Sequence, residues 1–289
     1  MQQTLSTAQY GAAGGILKPP ECPGPGDRSS PPLSHYLSSL VTSMHFSARI
    51  ISTALLVLTS PLPNSPIWAN AARYISVPLR IEGPSTTIFE GTIKTSGHIV
   101  TTASGGTHQC DSVSNGEDQT PNDATPGGTI TTAIDDAVST WDGTWSKKYQ
   151  DYFITSIAGY GQTQHQFWGL LIDYEIIGKG GCEHKLVDGQ NVLVAFDAFG
   201  ASAFLTASVN IGSVPVGGEV IVTVVGGSSG TPVEHAEVLG ARTGGDGTAK
   251  IKFDRIGEHK FKATKDGTIR SNQVKVTVTR ANAPRCANE

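Results

Sequence analysis

The chain is 289 residues long with a formal net charge of −4, and only 16% of it is charged while it carries 34 glycines and 16 prolines. This low-charge, turn-rich mixture favours β-rich extracellular architectures over helical bundles, and the length allows two ordinary domains. Charge is divided unevenly, +1 over residues 1–71, −8 over 72–205 and +3 over 206–289, so the acidic middle excludes nucleic acid and anionic membranes as its partners, whose phosphates need Lys and Arg.

Residues 1–43 are rich in Pro, Gly and Ser without an apolar period. They read as a disordered leader or as the product of an upstream start codon, the true start being Met44. Residues 44–71 have the grammar of a secretory signal peptide: His45 and Arg49, an apolar run Ile50–Leu58, then prolines and Ala69-Asn70-Ala71. The run is far short of the ~20 residues of a membrane-spanning helix, so no stable membrane span is expected.

Cleavage near Ala71 leaves three cysteines, Cys110, Cys182 and Cys286. In an exported chain Cys110 and Cys182, which share one segment, are the expected disulfide pair, leaving Cys286 as a free thiol or an intermolecular link. In a chain that stays in the cytosol all three would be reduced.

The acidic segment opens with "ISVPLRIEG" (75–83), in which Val77, Leu79 and Ile81 alternate against Ser76, Pro78 and Arg80. Pro78 lacks an N–H and predicts an edge or a bulge there. Strands are expected at "TIFEGTIKT" and "HIVTT", followed by a long polar loop, 103–128, that holds Cys110. "GGTITTAIDDAVSTW" predicts a helix capped by Thr129 or Thr131, with Asp135 and Asp136 near its start and Trp141 on its apolar face. "WDGTWS" reads as a turn into the strand "YQDYFITSIAG". "QFWGLLIDYEIIGKG" (166–180) reads as one core strand with Trp168, Leu170, Ile172, Tyr174 and Ile176 on the face beneath the helix. Asp188-Gly189 turns the chain into a strand at 191–196.

Together with "TTAIDDAV", the run "DYFITSIAGYGQTQHQFWGLLIDYEIIGKGGCEHKLVDGQNVLVAFDAF" (151–199) resembles the transcobalamin C-terminal-like family of secreted β-grasp domains. The resemblance covers roughly residues 75–199 and rests on strand and turn patterns, with "GKGGC" where the family usually has Asn-Gly. It implies an α+β β-grasp-like domain with a ligand-binding or adhesive surface. The best-known relative uses this domain to help enclose a corrinoid, but the other half of that site, a long helical toroid, has no counterpart in this sequence, and no cofactor is expected.

From residue 206 onward, "EVIVTVVG", "GTAKIKFD", "GEHKFKATKDG" and "NQVKVTVTR" alternate with period two between Gly-rich turns, of which "GGDG" (244–247) is the clearest hairpin signal. Ala249, Ile251 and Phe253 face one way and Lys250, Lys252 and Asp254 the other. The order of these runs resembles Ig-like, carboxypeptidase-regulatory-like modules, and implies a small all-β sandwich over 206–280 with a tail at 281–289.

For chemistry the sequence offers little. Asp135, Asp136, Asp151, Asp173, Glu175 and Asp197 are the carboxylates from which a glycosidase pair would be drawn; a solvated face is the competing explanation. His108, His165, His184, His235 and His259 sit at no metal-ligand spacing. Asp111, Glu117, Asp118 and Asp123 miss the EF-hand pattern, and no G-x-S-x-G or P-loop occurs. No catalytic residue and no metal site are therefore expected. The residues that best fit ligand contact are the aromatics Trp145, Tyr152 and Trp168 with the carboxylates Asp173 and Glu175. These readings converge on a secreted or cell-surface, non-catalytic binding module over residues 72–205, its partner an unknown extracellular ligand (glycan, small molecule or protein) or cell-wall component. An adhesive spacer is the alternative and a carbohydrate hydrolase the third reading.

Overall fold

The computed structural model describes residues 73–116 and 125–281; the leader, the signal-like segment, the acidic stretch 117–124 and Cys286 lie outside the described residues. The architecture is mainly β, with several sheets and one short α-helix. In chain order the first part contains β1 (Ile75–Glu82), β2 (Thr87–Thr95), β3 (His98–Thr102), β4 (Gly106–Cys110) and α1 (Ile130–Ala137). It continues with β5 (Trp141–Ser146), β6 (Asp151–Ile157), β7 (Tyr160–Gly161), β8 (Trp168–Ile172), β9 (Glu175–Ile176) and β10 (Val192–Phe196). The second part contains β11 (Leu205–Val209), β12 (Ser213–Pro215), β13 (Glu219–Gly226), β14 (Glu237–Val238), β15 (Ala241–Arg242), β16 (Thr248–Lys252), β17 (Gly257–Phe261) and β18 (Val274–Thr279). No helix among the described residues is long and apolar enough to cross a membrane.

The first part is organised by a mixed sheet in the order β2-β1-β10-β8-β9, flanked by the sheet β5-β6-β7 and the hairpin β3-β4. Its central pair, β1 and β10, runs parallel, with Leu79 opposite Val192 and Glu82 opposite Ala195. One face of this sheet presents Val77, Leu79, Ile81, Val192, Val194 and Trp168 to Ile130, Ala133 and Ile134 of α1. The other face presents Leu171, Leu193 and Ala195 to Phe204 and Ile269 of the following part. Both faces of β10 are thus covered, which explains its uninterrupted apolar sequence Val192–Phe196. The second part pairs β11-β13-β16 in one sheet and β12-β18-β17 in another around a core of Val220, Val222, Val224, Ile251, Phe253 and Val276. Ala249, Ile251 and Phe253 are buried while Lys250, Lys252 and Asp254 are exposed, the outcome of the period-two pattern.

Several local expectations are corrected by the pairing. The helix is eight residues long, capped by a reciprocal Thr129–Thr132 box, and ends at Ala137 because Val138 is extended. Asp135 and Asp136 therefore fall in its last turn, where the dipole opposes acids; Asp135 is compensated by His98 Nε2 at 3.2 Å and by the Trp141 indole, which donates at 2.9 Å. Trp141 itself begins β5: "WDGTWS" is a strand that pairs along β6. The loop expected over 103–128 contains β4, hydrogen-bonded to β3 from Gly106 to Cys110. Pro78 lies on an interior strand, but the parallel ladder to β10 begins only at Leu79, so its missing N–H falls where β1 has a single neighbour.

The largest departure concerns 166–180, which is a hairpin and not one strand. Asp173 and Tyr174 both take positive φ, 48° and 68°, and β9 returns antiparallel with Ile172 opposite Glu175. The alternation therefore stops at Ile172, and Tyr174 leaves the helix-side face to pack with Leu171 and Leu193 against the second part.

Candidate functional site

The residues expected to contact a ligand divide into two neighbouring groups. Trp145, on β5, lies parallel to the His108 ring at 3.8 Å and edge-on to Tyr152 at 4.8 Å. Tyr152, on β6, is buried, its hydroxyl 2.8 Å from the Gly106 carbonyl and 2.9 Å from that of Val100; burial pushes the phenol up from its ordinary range. This aromatic cluster packs on the Cys110–Cys182 disulfide, which is formed. It closes the chain between residues 72 positions apart.

Trp168, on β8, is buried in the helix-side core, edge-on to Phe196 at 5.4 Å, and its indole N–H donates to the Tyr160 carbonyl at 3.2 Å. Trp168 and Tyr152 meet across a cleft between β6 and β8, strands that belong to different sheets. The recess is about 160 Å³, with Ile154, Leu170 and Ile177 also in its walls and Lys179 at its edge. Around it stand apolar side chains that water reaches freely: Phe153, 51% exposed, Phe199, 63%, and Ile176, 40%. Phe167 meets Phe153 edge-on at 6.2 Å.

Asp173 and Glu175 are not part of this cleft. Asp173 occupies the β8–β9 turn and Glu175 the start of the return strand, and both are exposed. A buried carboxylate, Asp151, begins β6 directly before the cleft-lining Tyr152. It accepts from the backbone N–H groups of Cys182 (3.0 Å), Glu183 (3.1 Å) and Tyr152 (2.7 Å), and thereby ties the cleft-lining loop 179–183 to β6. "GKGGC" fits this arrangement through its glycines: a Cβ at Gly180 would run into the Asp151 carboxylate, and one at Gly181 into the Thr131 hydroxyl.

A larger recess of about 420 Å³ lies where the two parts meet, lined by Gly83, Gln166, Asp197, Thr268 and Arg270. Its charged groups are engaged internally: Arg270 donates to Glu82 and to the Gly83 carbonyl, and Gln166 donates to Asp197 at 2.9 Å. Among the described residues no three His, Cys, Asp or Glu side chains gather as metal ligands. The rim residues Phe153, Phe199 and Ile176 escape sequence reasoning, although one signal is present: Phe153 stands on the polar side of an alternating strand.

No family model matches the chain, and no curated protein does. A solved structure similar to part of it is haptocorrin in complex with Cbi, at 16% identity and a TM-score of 0.26, covering 44% of this chain and 26% of the haptocorrin chain. The match thus spans about a quarter of that protein's length.

Proposed function

We propose that this chain is a non-catalytic binding module that works outside the cell. In this reading a β-grasp-like domain, 72–205, contacts the ligand and an Ig-like sandwich, 206–280, carries it, the whole exported by the 44–71 signal. The observation that supports it is the set of exposed apolar side chains, Phe153, Ile176 and Phe199, around a recess walled by Tyr152 and Trp168. Leaving such groups exposed to water costs solubility and brings no folding stability, which is the signature of a contact surface.

The recess, about 160 Å³, is smaller than the ~300–1,000 Å³ that encloses a drug-sized molecule. A glycan or a protein that lies across the aromatic rim and inserts one group fits it better than an enclosed small ligand. The formed disulfide supports an oxidising compartment. Against hydrolysis, Asp173 and Glu175 stand away from the cleft, and both Asp151 oxygens are occupied by backbone donors, Oδ1 by Tyr152 and Oδ2 by Cys182 and Glu183.

A glycan array and a thermal-shift panel on the secreted chain test this reading, with Trp fluorescence as the reporter of the cleft. Replacing Phe153 and Phe199 together by Ser is expected to weaken any ligand found by tenfold or more, while folding stability changes by less than about 0.5 kcal/mol because both side chains are exposed. If every candidate leaves the melting temperature and the fluorescence unmoved, the module is a spacer.

A further inference from the structure

Independently of that cleft, the face of the central sheet turned to the second part holds an uncompensated cation. Arg80 is 5% exposed. Its Nε lies 3.9 Å from Glu82 Oε1, but its Nη1 and Nη2 atoms are buried and have no hydrogen-bond partner. Four donor protons of a guanidinium are thus left without acceptors, a costly condition in an interior.

The neighbouring carboxylates cannot supply the deficit. Glu82 accepts from Lys262 at 2.5 Å and from Arg270 at 2.7 and 3.0 Å, as well as from the Thr87 hydroxyl. Glu90, directly opposite Arg80 in the β1–β2 ladder, accepts from Lys262 at 2.6 Å and from the Gln273 N–H at 2.7 Å. Over this paired group, Arg80, Lys262 and Arg270 face Glu82 and Glu90: three positive charges against two negative. Beside Arg80 lies a cavity of about 260 Å³, walled by Pro78, Leu79 and Tyr174 and by Glu90 and Asn272. The Tyr174 ring, whose centroid is 5.8 Å from the Arg80 Cζ, covers the guanidinium. Tyr174 sits on the β8–β9 turn and lies against Gly227, where any Cβ would run into its ring.

The geometry points to a second binding site in which Arg80 takes the carboxylate of a small organic monoacid, with Tyr174 as the side chain that must shift to admit it. One negative charge matches the single excess positive one, and a carboxylate offers two oxygens to the two Nη atoms in the planar, bidentate manner that guanidinium favours. The apolar walls at Pro78 and Tyr174 suit an organic acid better than an inorganic oxyanion, and the Glu90 carboxylate in the same cavity disfavours a doubly charged one.

Benzoate and acetate are the probes, titrated against the full secreted chain by thermal shift and calorimetry, with chloride and sulfate at equal ionic strength as controls. Benzoate is expected to give a saturable stabilisation, acetate a weaker one, and chloride and sulfate none. Arg80→Met keeps the length and packing of the side chain without its charge; it is expected to weaken benzoate at least tenfold and, without benzoate, to melt no lower than the wild type. Tyr174→Ala is expected to speed benzoate association, since the ring that covers the guanidinium is gone. Should Arg80→Met not fold, the Nε–Hε resonance of Arg80 in the otherwise unaltered protein, followed by NMR, is expected to move with benzoate and to saturate with it. A benzoate response identical in wild type and Arg80→Met, no saturable response in either the wild type or Tyr174→Ala, or sulfate binding as strongly as benzoate would each overturn the assignment.

Discussion

Asp151 is ionised only at a cost, because burial pushes its titration up to about 6, against the opposing pull of the backbone donors at Cys182, Glu183 and Tyr152. A carboxyl whose folded value lies above its unfolded one binds its proton more readily when folded. Its contribution to stability is therefore fully present below the unfolded value, near 3.8, and is lost as pH rises through about 6. Between pH 7.5 and 4.5 this amounts to about 2 kcal/mol gained on acidification. Denaturant unfolding of wild type and Asp151→Asn across that range is expected to show the gain in the wild type and its absence in the variant. His98 moves in the same direction but in a higher window. Its hydrogen bond to Asp135 raises it against the desolvation of the ring, so that part of the stability is present below about 6.5 and fades above the raised value. The half-exposed position of this pair keeps its share small, and it survives in Asp151→Asn, so the difference between the two proteins isolates the buried carboxylate. A flat difference would mean that water reaches Asp151 and that the loop 179–183 is not held as described.

At the scale of elements, the loop that carries Cys182 is fastened three times: by the disulfide to β4, by the Asp151 carboxylate, and by the close approach of Gly180 and Gly181 to β6 and α1. Replacing Cys110 and Cys182 together by Ser opens a closed loop of 72 residues, for which about 2–4 kcal/mol is expected. Gly181→Ala is expected to cost about 1–3 kcal/mol through overpacking against Thr131; both losses are measurable by urea unfolding, and both should loosen the cleft, raising solvent quenching of Trp168. The sequence narrows the cap to Thr129 or Thr131, and the Cys110–Cys182 pair follows only if the chain is exported, whereas the alternating strands of the second part were legible because only one arrangement satisfies their period-two pattern. The β8–β9 hairpin was not. A two-residue turn with positive φ at both positions is normally marked by Asn-Gly or Asp-Gly, and Asp173-Tyr174 supplies only the Asp; Tyr174 accepts the strained position where its ring packs on Gly227, a partner 53 positions away in sequence. The strands at "GTHQC" and "WDGTWS" were missed for a related reason. Their Gly and polar residues weaken the strand signal, in "WDGTWS" despite its two Trp, and each is held in place by the ladder of its neighbour, β3 and β6. The cleft was half legible: Tyr152 and Trp168 are read from the sequence, but the exposed rim depends on which strand edges are left without a partner.

For the whole molecule, the decisive contact is the one that covers the second face of the central sheet. Glu82, 1% exposed, belongs to β1, yet two of its cationic partners, Lys262 and Arg270, come from the second part; Arg270 also donates to the Gly83 carbonyl at 2.8 Å. Around this ionic centre Leu171, Leu193 and Ala195 meet Phe204 and Ile269. Charges withdrawn from water in this way add little when intact and much when broken, because removing one partner leaves the others buried and unpaired. Glu82→Ala would leave three cations, Arg80, Lys262 and Arg270, with only Glu90 to share, and a loss of about 3–5 kcal/mol is expected. The form of the loss is the sharper test. With the junction intact, both parts should unfold in one cooperative transition whose midpoint is the same by Trp fluorescence, which among the described residues reports the first part through Trp141, Trp145 and Trp168, and by far-ultraviolet circular dichroism, which reports both. In Glu82→Ala the fluorescence transition should separate from the remainder, since each part keeps its own buried cluster. Two transitions already present in the wild type would mean that this ionic contact does not couple them.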